Sequence, residues 1–261
     1  MAKWFGSIKR PLFTQMTDTS KPQQLANVAR TKDVLLLAMA TLIEQRDMQT
    51  HQHLLRVHAY VGILAQALQS HPRWQQLLTP DYIGHLQLSV WVYDMGTLAV
   101  PERVLLKPGV FTADERRAMQ AHTVLGYAAL QRAEKSMPCS KDALRIAKED
   151  TLSHHEQWDG QGYPQGLQGT AIAPSARLVA VADAYDAMVS SKIYKATLTH
   201  EQALAELWQA RGVQFDPDVV DAFVQQGHAI KQIAERLADT EQDLQRKMEF
   251  LDNALAEPPI P

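Results

Sequence analysis

In this 261-residue chain, Ser153-His154-His155-Glu156-Gln157-Trp158-Asp159-Gly160-Gln161-Gly162-Tyr163-Pro164 sets two adjacent imidazoles beside a glycine-rich loop. Neutral imidazole is a ligand for Fe, Mn or Zn, and the two glycines let the backbone turn tightly or approach a ligand closely. Neighbouring residues on a helix point about 100° apart, so both rings reach one cleft only by flanking it. The competing reading is a polar helix end with two solvated histidines and an ordinary turn. Four further polar residues, His53, Asp94, His122 and Asp183, interrupt apolar helical faces. A single histidine on such a face is commonly a satisfied core residue, and an unpaired buried carboxylate is costly. Six such residues from five separate helices or helix ends are hard to satisfy by mutual hydrogen bonds alone. A metal centre is the economical explanation. Cys139 is the chain's single cysteine, so no thiolate ligand set exists.

The elements that must position these residues are helical. His53, Val57, Val61, Leu64 and Leu68 recur at three- and four-residue spacing. Leu86 to Val92 predicts an apolar helix running into Tyr93-Asp94-Met95-Gly96-Thr97. Thr112 with Glu115 reads as a capping box that starts a helix carrying Met119, His122, Leu125, Gly126, Ala129 and Leu130 on one side. Leu144, Ala147, Thr151 and His154 share the next face, and Leu178, Val181, Ala182, Tyr185 and Met188 the one after it, with Asp183 and Asp186 intruding. Thr199 with Gln202 is a second capping box, and Asp216-Pro217 an N-cap followed by proline. A last amphipathic helix is expected from about His228 to Leu255, packed on the domain. No sustained two-residue alternation occurs, so the fold class is all-α with long functional loops.

Composition narrows the classes of function. A net charge of −3 gives no basic field for nucleic acid or anionic lipid. The longest apolar run, Val34 to Ile43, falls short of the roughly 20 residues that cross a bilayer. The N-terminus lacks a secretory apolar region, and a lone cysteine suits a reducing cytosol, so a cytoplasmic location is expected. Residues 1–30 read as a flexible lead-in, whose Trp4, Phe5, Ile8, Leu12 and Phe13 beside Lys3, Lys9 and Arg10 offer at most a weak membrane-surface contact. Residues 31–239 form the main domain, and 240–261 a helical tail with a proline-rich end.

The motifs carry a family resemblance. Arg46-Asp47 through Thr50, His53, Arg56 and Tyr60; Asp94-Met95-Gly96 through Pro101; Leu105 to Gly109; His122-Thr123 with Gly126; His154-His155-Glu156 with Trp158-Asp159-Gly160 and Gly162-Tyr163-Pro164; Ala182-Asp183 with Asp186-Ala187; and Phe215-Asp216-Pro217 all stand in order. The chain resembles an HD-GYP domain, a branch of the HD metal-dependent phosphohydrolases that cleaves cyclic di-GMP. It is most similar to response-regulator output domains, although only about thirty residues, too few for a receiver, precede the first helix. The resemblance implies a helical HD-type bundle in which His53, Asp94, His122, His154, His155 and Asp183 hold a two- or three-metal centre of Fe or Mn. It implies Asp94 as the bridging, catalytic carboxylate, and Tyr163, Lys192 and Lys195 as substrate contacts. Cyclic di-GMP is the implied ligand, with other signalling proteins as further partners; a homodimer stays open.

The chain also departs from the family pattern. Tyr93 stands where the family has the histidine of its His-Asp doublet, Thr97 where it has lysine, Gln49 where three-metal members have glutamate, and Lys192 where arginine is usual. Tyrosine, with a pKa near 10, is a poor ligand for a divalent ion at neutral pH, though a ferric ion takes it as phenolate. Loss of a phosphate-facing cation typically costs on the order of 10²-fold in rate. The expected outcome is a cyclic di-GMP sensor or interaction module with impaired hydrolysis and reduced metal content; the alternative is an active phosphodiesterase with an altered centre.

Overall fold

The caps read from the sequence set where several helices begin. In the computed structural model, the Thr112 hydroxyl accepts from the Glu115 amide at 3.3 Å while the Glu115 carboxylate accepts from the Thr112 amide at 2.7 Å. The Thr199 and Gln202 pair does the same at 3.2 and 2.8 Å. Asp216 accepts from the Asp218 amide at 2.9 Å ahead of Pro217 in the first turn. Each cap satisfies amides that the first turn leaves without a partner.

The structure describes residues 34–46, 52–107, 109–136, 141–190 and 197–256, without the side chains of 141–143 and 250–256. Gln49, Lys192 and Lys195, the N-terminal lead-in and the proline-rich end lie outside these residues. The chain divides into a leading unit, Met1–Leu36, and a second unit, Leu37–Pro261, which carries the site. The helices are α1 (34–46), α2 (His53–Leu68), α3 (Pro80–Val90), α4 (Glu102–Leu105), α5 (Ala113–Gln120), α6 (His122–Ser136), α7 (Lys141–Ser153), α8 (Pro174–Val189), α9 (His200–Gln209), α10 (Pro217–Gln225), α11 (Gly227–Arg236) and α12 (Glu241–Ala256). A tight turn, Met95–Ala99, follows α3. Among the described residues there is no strand; Arg211 and Phe215 form an isolated bridge.

α2 is the central helix, touching α3, α8, α10 and α11. Its stripe of His53, Val57, Val61, Leu64 and Leu68 is buried as the spacing predicts, and Tyr60 meets Tyr185 and Phe223 edge-on at 5.3 and 6.2 Å. Each fully buried side chain of this size contributes about 1.5–3 kcal/mol of transfer free energy.

Three elements differ from expectation. The apolar helix expected from Leu86 starts earlier, at Pro80 behind the Thr79 cap, and ends at Val90, which leaves Tyr93 and Asp94 in a turn. The helix from Thr112 ends at Gln120 and restarts at His122, so His122, Gly126 and Leu130 are buried whereas Leu125 and Ala129 face solvent. The tail divides at 237–240, where Arg56 takes the Leu237 carbonyl and the Asp239 carboxylate, and Thr240 starts a new helix with Asp243. Beyond that break Met248 is exposed, so the expected packing of the tail on the domain does not extend to it.

The turn that carries Asp94 reaches α6 through glycine. A Cβ on Gly96 would lie 1.8 Å from the His122 carbonyl oxygen, and one on Gly126 2.4 Å from the Thr151 methyl. Gly96→Ala must therefore push the Asp94 turn away from His122. The expected loss is about 1–3 kcal/mol, read as a lower urea midpoint. An unchanged midpoint would show that the turn and α6 do not make this close approach.

Candidate metal centre

The two adjacent histidines lie just past the end of α7, not within it. Helical spacing therefore does not separate them, and instead of flanking a cleft their rings sit side by side, with centroids 4.1 Å apart. The glycine loop beyond them is fastened from three sides. Glu156, buried, accepts from the Gln165 and Leu167 amides at 2.7 and 2.9 Å. The Trp158 and Asp159 amides donate to the carbonyls of Gln214 and Val213 at 3.0 and 2.8 Å, and Arg73 and Arg177 lie over the Trp158 ring. Gly160 adopts φ +84, and a Cβ on Gly162 would meet the Glu156 Cα at 2.5 Å. The result places Tyr163 in a stack on His155, centroids 4.8 Å apart.

One half of the site is made by His122, His154 and His155, whose ligand atoms lie within 4.8 Å of one another. His122 Nδ1 lies 2.7 Å from the Met119 carbonyl and His154 Nδ1 2.8 Å from the Asp150 carbonyl. Carbonyl oxygen only accepts, so each Nδ1 carries the hydrogen and each Nε2 presents a lone pair. Those two lone pairs face each other at 3.4 Å, an arrangement that neutral rings do not stabilise and that a shared cation does. Asp94 adds a carboxylate 3.3 Å from His122 Nε2 and 4.0 Å from His154 Nε2. These residues fit a divalent ion.

The second half is built differently. His53 Nδ1 lies 2.9 Å from Asp186, and its Nε2 lies 3.0 Å from the Tyr93 hydroxyl. That hydroxyl donates to Asp183 at 2.8 Å. The Tyr93 ring meets His154 edge-on at 5.0 Å, so the two halves adjoin and the six residues singled out by sequence occupy one region. Thr97 is buried, and its hydroxyl donates to the Asp94 carbonyl at 2.8 Å, closing the turn.

Two supporting groups had no role assigned from the sequence. Asp186, which stands in the Asp186-Ala187 motif, accepts bidentate hydrogen bonds from Arg56 at 2.7 and 2.9 Å. Burial alone would raise its carboxyl, but His53 and Arg56 outweigh that and hold it at about 2. Asp150 received no role at all, although a charged residue on the buried face of α7 was the available signal. Burial pushes its carboxyl up to about 7 against the bond from Ser89. Ser89 Oγ lies 2.5 Å from Asp150 and 2.6 Å from the Leu86 carbonyl, and its single hydrogen serves the carbonyl when Asp150 is protonated.

A sequence profile of the HD domain matches residues 37–219. A Vibrio cholerae protein named as a probable cyclic di-GMP phosphodiesterase is 40% identical over 86% of this chain and 51% of its own length. A second, from the same organism and named a cyclic di-GMP phosphodiesterase, is 44% identical over 82% of this chain and 43% of that protein. The chain thus spans about half the length of the curated relatives it matches. Among solved structures, an HDG"Y"P protein from Bdellovibrio bacteriovorus is 18% identical, covers 70% of this chain and 52% of that one, and has a TM-score of 0.49.

Burial holds the histidine trio neutral. It lowers His122, lowers His154 further with help from the neighbouring imidazoles, and lowers His155 to about 4 with the charge of His122 second. The unfolded chain then binds more protons than the fold below pH 6.5, so stability rises with pH across this window. Asp150 acts in the opposite sense between its usual range and about 7, one group against the trio and against His58 and His200, which burial also lowers. The metal-free protein should lose thermal stability steadily from pH 6.5 toward 4, and His155→Ala should lose it less steeply. Equal slopes for parent and variant would refute a neutral, buried His155.

Proposed function

Because the chain belongs to the HD domain family and carries its HD-GYP motifs, we propose that it binds cyclic di-GMP at a metal-bearing cleft with impaired hydrolysis and serves as a sensor or interaction module. The observation that carries the binding half is Tyr163 stacked on His155 beside the trio, with Asp94 and Asp183 close enough to help burial raise its phenol. The names of the relatives supply the ligand. An aromatic face next to an ion suits a base attached to a phosphodiester.

When bound, a divalent ion such as Fe or Mn lowers the pKa of water and offsets phosphate charge. His122, His154 and His155 would hold it, and Asp94, beside two of them, is the carboxylate placed to share it or to accept a proton. Lys192 and Lys195 remain the proposed phosphate contacts by resemblance. The impairment is assigned to two positions. Thr97 is turned into its own backbone, so it supplies no cation, and Tyr93 supplies no imidazole. Arg56 is held by Asp186 and Asp239. The alternative, an active phosphodiesterase, draws on the trio and Asp94, which keep a complete donor set for one ion.

Calorimetry with Mn(II) present should show cyclic di-GMP binding that Tyr163→Ala weakens at least ~10-fold, a loss on the scale of one aromatic base stack. Turnover followed by chromatography should be slow in the parent and should rise most in Tyr93→His with Thr97→Lys, since groups serving one transition state are non-additive. A parent as fast as the double variant would favour the active enzyme. Absence of cyclic di-GMP binding would overturn both readings.

A further inference from the structure

Resting on that reading of the cleft, we propose that the Tyr93 hydroxyl takes the place of one metal ion, so the centre is mononuclear. The ion is held by His122, His154 and His155 with Asp94, while His53 and Asp183 hold none.

The two halves differ in what they lack. Around the trio, both Nδ1 atoms are fastened to carbonyls and two Nε2 lone pairs converge at 3.4 Å with no hydrogen between them. That half is incomplete without a cation. In the other half, His53 Nε2 and Asp183 Oδ1 are 3.6 Å apart, and the Tyr93 oxygen lies 3.0 Å from the first and 2.8 Å from the second. An ion bonded to both from the side of the hydroxyl would sit about 2.1 Å from each, in space that the hydroxyl fills. The hydroxyl oxygen stands there in the place of the ion, and its single hydrogen serves Asp183 or His53 Nε2, one at a time.

The hydroxyl is also held in place. Tyr93 is 1% exposed, and its ring packs edge-on against His154. Swinging it out would open the buried core to which it belongs. His53 is fixed from behind by Asp186, which Arg56 locks with two bonds of its own. His53 thus belongs to a connected polar unit with Tyr93, Asp183, Asp186 and Arg56. This accounts for the reduced metal content expected from the sequence and says which residues keep their ion.

The test is the metal count and affinity of the full chain, loaded anaerobically with Mn(II) and desalted, by elemental analysis and by titration of the free-Mn(II) electron paramagnetic resonance signal. The parent should hold one ion per chain. His122→Ala should weaken Mn(II) at least ~10-fold, while His53→Gln changes affinity by less than about 2-fold. Tyr93→Phe should still hold one ion, and Tyr93→His should hold two. Circular dichroism melts identify any variant that fails to fold; Tyr93→Phe and Tyr93→His keep a ring at this position and decide the matter if the others do not fold. Two ions in the parent, or equal losses in the His53 and His122 variants, would overturn the inference and leave the cyclic di-GMP reading standing. A visible iron–phenolate absorption in the aerobic iron form would overturn it too, by making Tyr93 a ligand. No ion at all in the parent would instead remove the metal-bearing cleft of the proposed function.

Discussion

One buried carboxylate constrains most of this structure. Asp186, on α8, is fully enclosed and receives Arg56 from α2 with two bonds, His53 from α2 with a third, and the Ser190 hydroxyl with a fourth. Arg56 has donors to spare and uses them on the Leu237 carbonyl and Asp239 at the head of α12. Burial would lower the guanidinium, but the charges and hydrogen bonds of Asp186 and Asp239 raise it instead. Removing one partner from such a buried pair strands the other at a cost of roughly 3–5 kcal/mol. The central helix, α8 and the start of the tail are thus tied together at the point from which His53 enters the cleft.

The same economy of donors explains why the cleft is not a uniform cluster of ligands. His122 and His154 give their Nδ1 hydrogens to carbonyls three and four residues back, Met119 at the end of α5 and Asp150 in the last turn of α7, so their Nε2 lone pairs are fixed by local backbone. His53 gives its corresponding nitrogen to Asp186, a partner 133 residues away, and turns its other nitrogen to Tyr93. Burial keeps the trio neutral, the state a metal requires. The neutral trio and the hydroxyl-bridged pair are separated by one edge-on ring contact, so a change at position 93 is felt on both sides.

The sequence by itself determined the fold class and the candidate cleft. Apolar spacing on α2 and α8 marked the buried faces correctly because those helices run unbroken, and three caps were legible because capping is a local bargain between residues two or three apart. His53, Asp94, His122, His154, His155 and Asp183 could be gathered because each violates the polarity of its own surroundings. What only the tertiary structure decided were the partners. Whether a histidine is a ligand or a hydrogen-bonded prop depends on what faces each ring nitrogen, and periodicity carries no such information. Asp186 and Asp150 look alike in sequence, yet one is held at about 2 by His53 and a guanidinium and the other is pushed to about 7 by burial. The breaks at Ala121 and at 237–240 also escaped, since no proline or glycine marks them; the second occurs where Arg56 takes up a carbonyl and a carboxylate at the end of α11. Tyr93 shows the same limit. Its identity was plain from the chain, but that its hydroxyl lies between His53 and Asp183 follows from three segments meeting in space, a property of packing.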